Sequence, residues 1–237
     1  MIADALRADI ETFAKTKCRE NLLFRMAEEG TIDATCIRAY LTNLHHLLRH
    51  TPICLVRARK RALALGNTKL AEHFKHKLVE EAGHFRWAED DIASLPKAVE
   101  PTPGVLRSME RHIAYIIETI DEDPSLFLSY ILFGEYFTVV LGPEWLRLLE
   151  ERCGIPRTSM TVIDKHIEID QGHVEEALEN IDDLVAEPRM LPRMREVLRE
   201  SMDNFYAFCT ELAETHGRIS QPSISDATDA LAQAPAA

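Results

Sequence analysis

Residues 125–141 read SLFLSYILFGEYFTVVL. Pro124 immediately before them suits the first turn of a helix, and the run that follows is apolar on every face. A helix that is hydrophobic all round belongs in the interior of a protein, surrounded by other elements. Its single charge is Glu135. A carboxylate in such a place costs several kcal/mol or takes up a proton unless something compensates it. That partner is an arginine, a histidine or a cation, and a structural salt bridge is the plain alternative to a functional site.

The remainder of the chain follows the same helical period. Gly 9 and Pro 11 are few in 237 residues, and no Asn-Gly or Asp-Gly hairpin signal occurs. Both observations disfavour a β-sandwich or barrel. The expected fold class is therefore all-α, with helices over 3–15, 21–29, 33–65 (bent at Pro52), 67–95, 105–120, 124–141, a short piece ending at Gly154, 156–185 and 188–216. Asp33 and either Asn67 or Thr68 are the expected caps, and Gly142-Pro143 is read as a helix break. From Arg218 the chain becomes SQPSISDATDALAQAPAA with no aromatic residue, which predicts a disordered tail over 218–237 behind one helical domain over 1–217.

Lys+Arg 27 against Asp+Glu 39 gives a formal charge of −12, which argues against a phosphate-binding surface and so against nucleic acid. The apolar stretch ending at Leu141 is shorter than the ~20 residues that span a bilayer, and it holds a charge, so no membrane is expected. The start has no signal-peptide pattern, and the five cysteines are odd in number without CxxC spacing. Free thiols in a reducing cytoplasm follow.

Two further segments carry acids and imidazoles on one face. In DKHIEIDQGHVEEA (164–177), a rotation of ~100° per residue puts Asp170 about 40° to one side of His166 and His173 about 20° to the other. The spacing H-x3-D-x2-H thus presents N, O and N donors from one stripe. In HFKHKLVEEAGHFRWAEDD (73–91), Glu81 and His84 stand in the Glu-x-x-His arrangement that di-iron carboxylate bundles use, and Glu80 lies within reach of the same histidine. Gly83 beside His84 is a helix-weakening choice that would let a neighbouring helix approach. Glu81, His84, Glu135, His166, Asp170 and His173 together offer three carboxylates and three imidazoles from three helices. A donor set without thiolate suits iron or manganese, and carboxylates can bridge two metals. Elsewhere, His45, His46 and His50 are candidates to line a pocket, Phe133, Phe137 and Val139 to form a substrate channel, and Tyr136, Asp164 or Asn43 to hold a ligating imidazole from behind.

AYLTNLHHLLRHTP (39–52), VEEAGHFRWAEDDI (79–92), FGEYF (133–137) and HIEIDQGHVEEALENI (166–181) resemble the heme-oxygenase-like di-iron oxidases and oxygenases, the iron-containing redox enzymes. The resemblance covers nearly all of the chain before the tail. It implies a heme-oxygenase-like seven-helix bundle without implying haem. It also implies two Fe(II) ions held by Glu81, His84, Glu135, His166, Asp170 and His173, with Glu80 as the alternative to Glu81. O2 would be co-substrate, a small molecule the substrate, and an external electron donor and a homodimer are compatible with the scaffold. Members cleave C–C bonds in fatty or amino acids, oxygenate nitrogen or serve cofactor biosynthesis, and fold does not choose among these. Thiaminase-type relatives use a cysteine near the position of Glu135, and residues 129–140 contain none. The other readings on this scaffold are a cofactor-free oxidase and a non-catalytic metal-binding protein.

Overall fold

The structure is a computed structural model that describes residues 1–96, 104–185 and 187–219. The expected tail lies outside these residues from position 220 onward, as does most of the 97–104 connection. Among the described residues there is no strand. The helices are α1 (Ile2–Lys15), α2 (Leu22–Glu28), α3 (Ala34–Ala64), α4 (Thr68–Glu80), α5 (Phe85–Ser94), α6 (Arg107–Glu122), α7 (Phe127–Cys153), α8 (Thr161–Leu184) and α9 (Leu191–Ile219).

Local signals set most of the boundaries. Asn21 accepts from Leu23 N, Asp33 from Thr35 N and Cys36 N, and Asn67 from Leu70 N, each satisfying amides that the helix itself leaves unpaired. Asp123 caps the turn Pro124–Leu126 that leads into α7, and Gly154 closes α7 at φ 66°. The chain turns through Pro156 and a 3-10 segment before α8 starts at Thr161, five residues later than expected, and a similar turn precedes α9.

Helix α7 is the axis of the bundle, and its most extensive partner is α8. Its aromatic side chains reach most of the surrounding helices. Phe127 lies 5.9 Å from Phe74 of α4, Phe133 lies 6.1 Å from Phe13 of α1 and 6.0 Å from Phe205 of α9, and Trp145 lies 5.8 Å from Tyr40 of α3. The helix does not break at Gly142-Pro143 as the local sequence predicts. Pro143 forfeits one backbone hydrogen bond, but Leu141, Trp145, Leu146, Leu148 and Leu149 are all buried around it, and their packing outweighs the local penalty. Gly142 is the point of closest approach: a Cβ there would lie 2.8 Å from Cγ1 and 2.9 Å from Cδ1 of Ile167 on α8. Continuous, the segment Pro124–Cys153 is long and apolar enough to cross a membrane by length and composition, yet its apolar residues pack against the other helices.

A helix expected without interruption over 67–95 is instead two. Residues 81–84 form turns between α4 and α5, with Gly83 at φ 92°. A Cβ on Gly83 would meet nothing within 4 Å, so this glycine serves a left-handed backbone and does not make room for a neighbour. Gly83→Ala should therefore destabilise the protein by about 1–2 kcal/mol, whereas Gly172→Ala, in the open middle of α8, should stabilise it by about 0.5–1 kcal/mol. Urea denaturation of the two variants checks the opposite signs.

Candidate metal centre

The break at 81–84 places two of the expected ligands at helix ends: Glu81 just after α4, His84 just before α5. Glu81 Oε2 and His84 Nδ1 are 3.1 Å apart. His84 is buried and stacks on Trp87 with ring centroids 4.3 Å apart, and the His166 ring of α8 meets it edge-on at 4.9 Å. The Val162 carbonyl accepts a hydrogen bond from His166 Nδ1 at 2.6 Å, which leaves Nε2 with its lone pair free for a metal. On the other side, Glu135 of α7 comes to 3.8 Å from His173 Nδ1, and Asp170 Oδ1 lies 3.3 Å from the same nitrogen.

These contacts form two groups able to hold an ion, Glu81 with His84 and His166, and Glu81 with Glu135 and His173, with all donor atoms of each group within 4.8 Å of one another. Glu81 belongs to both, which separates it from its neighbour: Glu80 approaches Lys77 at 3.1 Å and His173 Nε2 at 3.7 Å and belongs to neither group. Asp170 also lies outside both groups, joined to His173.

Lys77 is the residue that sequence reasoning missed. It is 2% exposed, and its ammonium donates to Glu135 Oε1 at 2.9 Å. A signal existed: Leu70, Phe74, Lys77 and Glu81 recur at 4-3-4 spacing and so share one helical stripe with apolar residues. Burial pushes the Glu135 carboxyl up to about 7 against the pull of Lys77, with Asp170 adding to the rise. Lys77 is held above its usual range: burial opposes its charge, but Glu135 and then Glu80 favour it more strongly. Burial also works against the Glu81 charge, and the hydrogen bond and charge of His84 hold its pKa below the usual value nonetheless. The hydrogen bond to Asp170 raises the pKa of His173. Glu135 Oε2 is buried without any hydrogen bond. Among the described residues one ammonium, that of Lys77, pairs with Glu80 and Glu135 while Glu81 and Asp170 lie close by, and this excess of oxygen donors together with three imidazoles fits a divalent cation of intermediate hardness.

A cavity of ≈ 210 Å³ opens on these groups, with Lys77, Glu81, Glu135, His166 and Asp170 in its wall. The rest is mostly hydrocarbon and aromatic, including Leu44, Leu47, Leu48, Phe133, Phe137 and Trp145. Cys18 and Cys209 also line it, but burial pushes the Cys18 thiol up to about 12 and Cys209 well above its usual value, which favours the protonated thiol over the thiolate. His112 is buried as well, and burial pushes its pKa down to about 4, so it is neutral.

Several expectations fail here. His45 pairs with Glu89 and His50 bonds the His46 carbonyl, and none of the three borders the cavity; nor does Val139. Tyr136 donates to Glu11, Asp164 pairs with Arg157, and Asn43 accepts from Leu106 N, so none of them bonds His84, His166 or His173. The supports are Trp87, the Val162 carbonyl and a residue on α5, Asp91. Asp91 is 1% exposed and accepts from Thr161 Oγ1 at 2.7 Å and Val162 N at 2.8 Å, capping α8 from a neighbouring helix. Its place in the stripe His84, Ala88, Asp91, Leu95 was readable at helical spacing.

No family model and no curated protein matches the sequence. Solved structures do match in shape. A domain of unknown function with a heme oxygenase-like fold from Shewanella denitrificans OS217 superposes with a TM-score of 0.81 at 20% identity, covering 93% of this chain and 96% of that one. The chain has a heme oxygenase-like fold. A CADD-like protein of unknown function from Nostoc punctiforme PCC 73102 gives a TM-score of 0.69 at 16% identity, with 90% and 97% covered. A TenA homolog from Pseudomonas syringae pv. tomato str. DC3000 gives 0.67 at 16%, with 90% and 93% covered. At these identities the likeness is one of fold.

Asp91→Ala removes a charged cap and leaves Val162 N and Thr161 Oγ1 unpaired, and should cost about 1–3 kcal/mol in chemical denaturation. An unchanged midpoint would mean that α8 is held in place by packing alone.

Proposed function

We propose that this chain is an O2-dependent non-haem oxidoreductase with two ferrous ions, acting on a small organic substrate with an apolar body. One observation carries the reading: Glu81 is common to two buried donor groups that meet at the wall of an apolar cavity. His84 and His166 would complete one position and Glu135 and His173 the other, with Asp170 adding a carboxylate on the His173 side. Bound there, iron supplies electrons to O2 and Lewis acidity.

The chain's own contribution is placement and exclusion. Trp87 and the Val162 carbonyl fix the His84 and His166 rings. Asp170 orients His173. Leu44, Leu47, Leu48, Phe133 and Phe137 keep the space beyond the carboxylates largely free of polar partners, so a substrate lies with its polar end at the centre and its hydrocarbon or aromatic part among these side chains. A protein that only stored metal would have no need of such a cavity, and the high pKa of the lining thiols disfavours a cysteine nucleophile.

Anaerobic Fe(II) titration should show binding near two equivalents in the wild type. Loss of the shared carboxylate in Glu81→Ala should reduce this below one, whereas His173→Ala should retain the His84–His166 position. Substrate-dependent O2 uptake, surveyed with apolar carboxylic acids and amines, should require the iron. A wild type that takes up no Fe(II), or a Glu81→Ala variant that binds like wild type, would overturn the reading.

A further inference from the structure

Around the second group of donors, the structure already holds a cation. Lys77 Nζ lies 2.9 Å from Glu135 Oε1 and 3.1 Å from Glu80 Oε2. The His173 ring faces the same two oxygens, with Nδ1 at 3.8 Å from Glu135 Oε1 and Nε2 at 3.7 Å from Glu80 Oε2. The ammonium and the His173 ring therefore share the same two carboxylate oxygens, so an ion held between His173 and Glu135 Oε1 would stand against the ammonium. The first group differs. The ion pair of Glu81 is with His84, and no lysine pairs with a donor of this group among the described residues; Lys165 lies over the Trp87 ring at 4.7 Å.

We propose that Lys77 is a placeholder cation: its ammonium fills the second metal position of the empty protein, and a second ion enters only by displacing it. This rests on the two-metal reading above. An ammonium and a divalent ion cannot both sit against one carboxylate oxygen in a low-dielectric interior, because their repulsion there is barely screened. A protonated amine also has no lone pair with which to become a ligand. The displaced side chain has somewhere to go. Lys77 lines the cavity, and its flexible four-carbon stem starts one turn before Glu81. The two positions therefore fill in order, Glu81–His84–His166 first and Glu81–Glu135–His173 second. Until then the ammonium keeps Glu135 from being an unpaired buried charge.

The test uses Co(II), which is visible by absorbance in a carboxylate–imidazole site, with calorimetry and thermal melting on the full chain. Wild type should bind in two steps, the second at least 10-fold weaker. Lys77→Met, which keeps the stem and removes the charge, should tighten the second step by 10-fold or more while the first stays within about 3-fold. The metal-free variant should melt below wild type, and Co(II) should restore it. Should the Met variant fail to fold, Lys77→Arg provides the converse: a guanidinium that grips both carboxylates should leave the first step in place and weaken the second by 10-fold or more. An unchanged second step in either variant, or a first step that moves as far as the second, would overturn the placeholder while leaving a two-metal wild type standing. No Co(II) binding by the wild type would remove both the metal reading and the placeholder.

Discussion

The rest of the structure depends on a concentration of negative charge at the centre of an all-helical bundle. Glu80 at the end of α4, Glu81 in the turn that follows, Glu135 of α7 and Asp170 of α8 converge, and Glu135 and Asp170 are almost wholly buried. Charge of this density is unstable in a low-dielectric interior unless cations or donors meet it. Lys77 meets part of it and three imidazoles can meet more. The remaining deficit is visible in the unpaired Oε2 of Glu135 and in a carboxyl pushed up to about 7 beside an ammonium. A helix bundle tolerates such a centre only where packing elsewhere compensates, and the aromatic and aliphatic contacts of α7 provide that.

The scaffold around the centre limits how its parts can move. Gly142 lets α7 and α8 meet at a distance no other residue permits without displacing Ile167. Asp91 ties the start of α8 to α5, and Arg38 of α3 donates to the carbonyls of Ile92, Leu95 and Pro96 at the other end of α5. The turn at 81–84 is then held between fixed ends, so Glu81 and His84 are presented by a backbone that is itself irregular. Irregular backbone at a site is where a structure spends stability on geometry.

Much of this was legible before the structure. Glu135 stands out because one charge among apolar neighbours has no surface explanation, and His166, Asp170 and His173 stand out because helical rotation superposes them. The structure brings both features to one place. Local reading failed where tertiary packing overrode a local signal, as at Pro143, and where a weak signal had two readings, as at Gly83. It failed for Lys77 and Asp91 for a different reason. Each sits in a stretch rich in charge, where a buried charged residue has the same letter as its solvated neighbours, and only its position on the stripe distinguishes it. Of the six expected ligands, five fall into two donor groups that share Glu81, and Asp170 stands outside both, 3.3 Å from His173.

The central claim is that Glu81 joins two metal positions between α4, α7 and α8. Anomalous diffraction at the iron edge from anaerobic crystals soaked in Fe(II) tests it most directly. The account predicts two peaks about 4 Å or less apart, one against His84 and His166, the other against Glu135 and His173, with the Glu81 carboxylate between them. Absence of iron among these helices, or iron bound without Glu81, would contradict it.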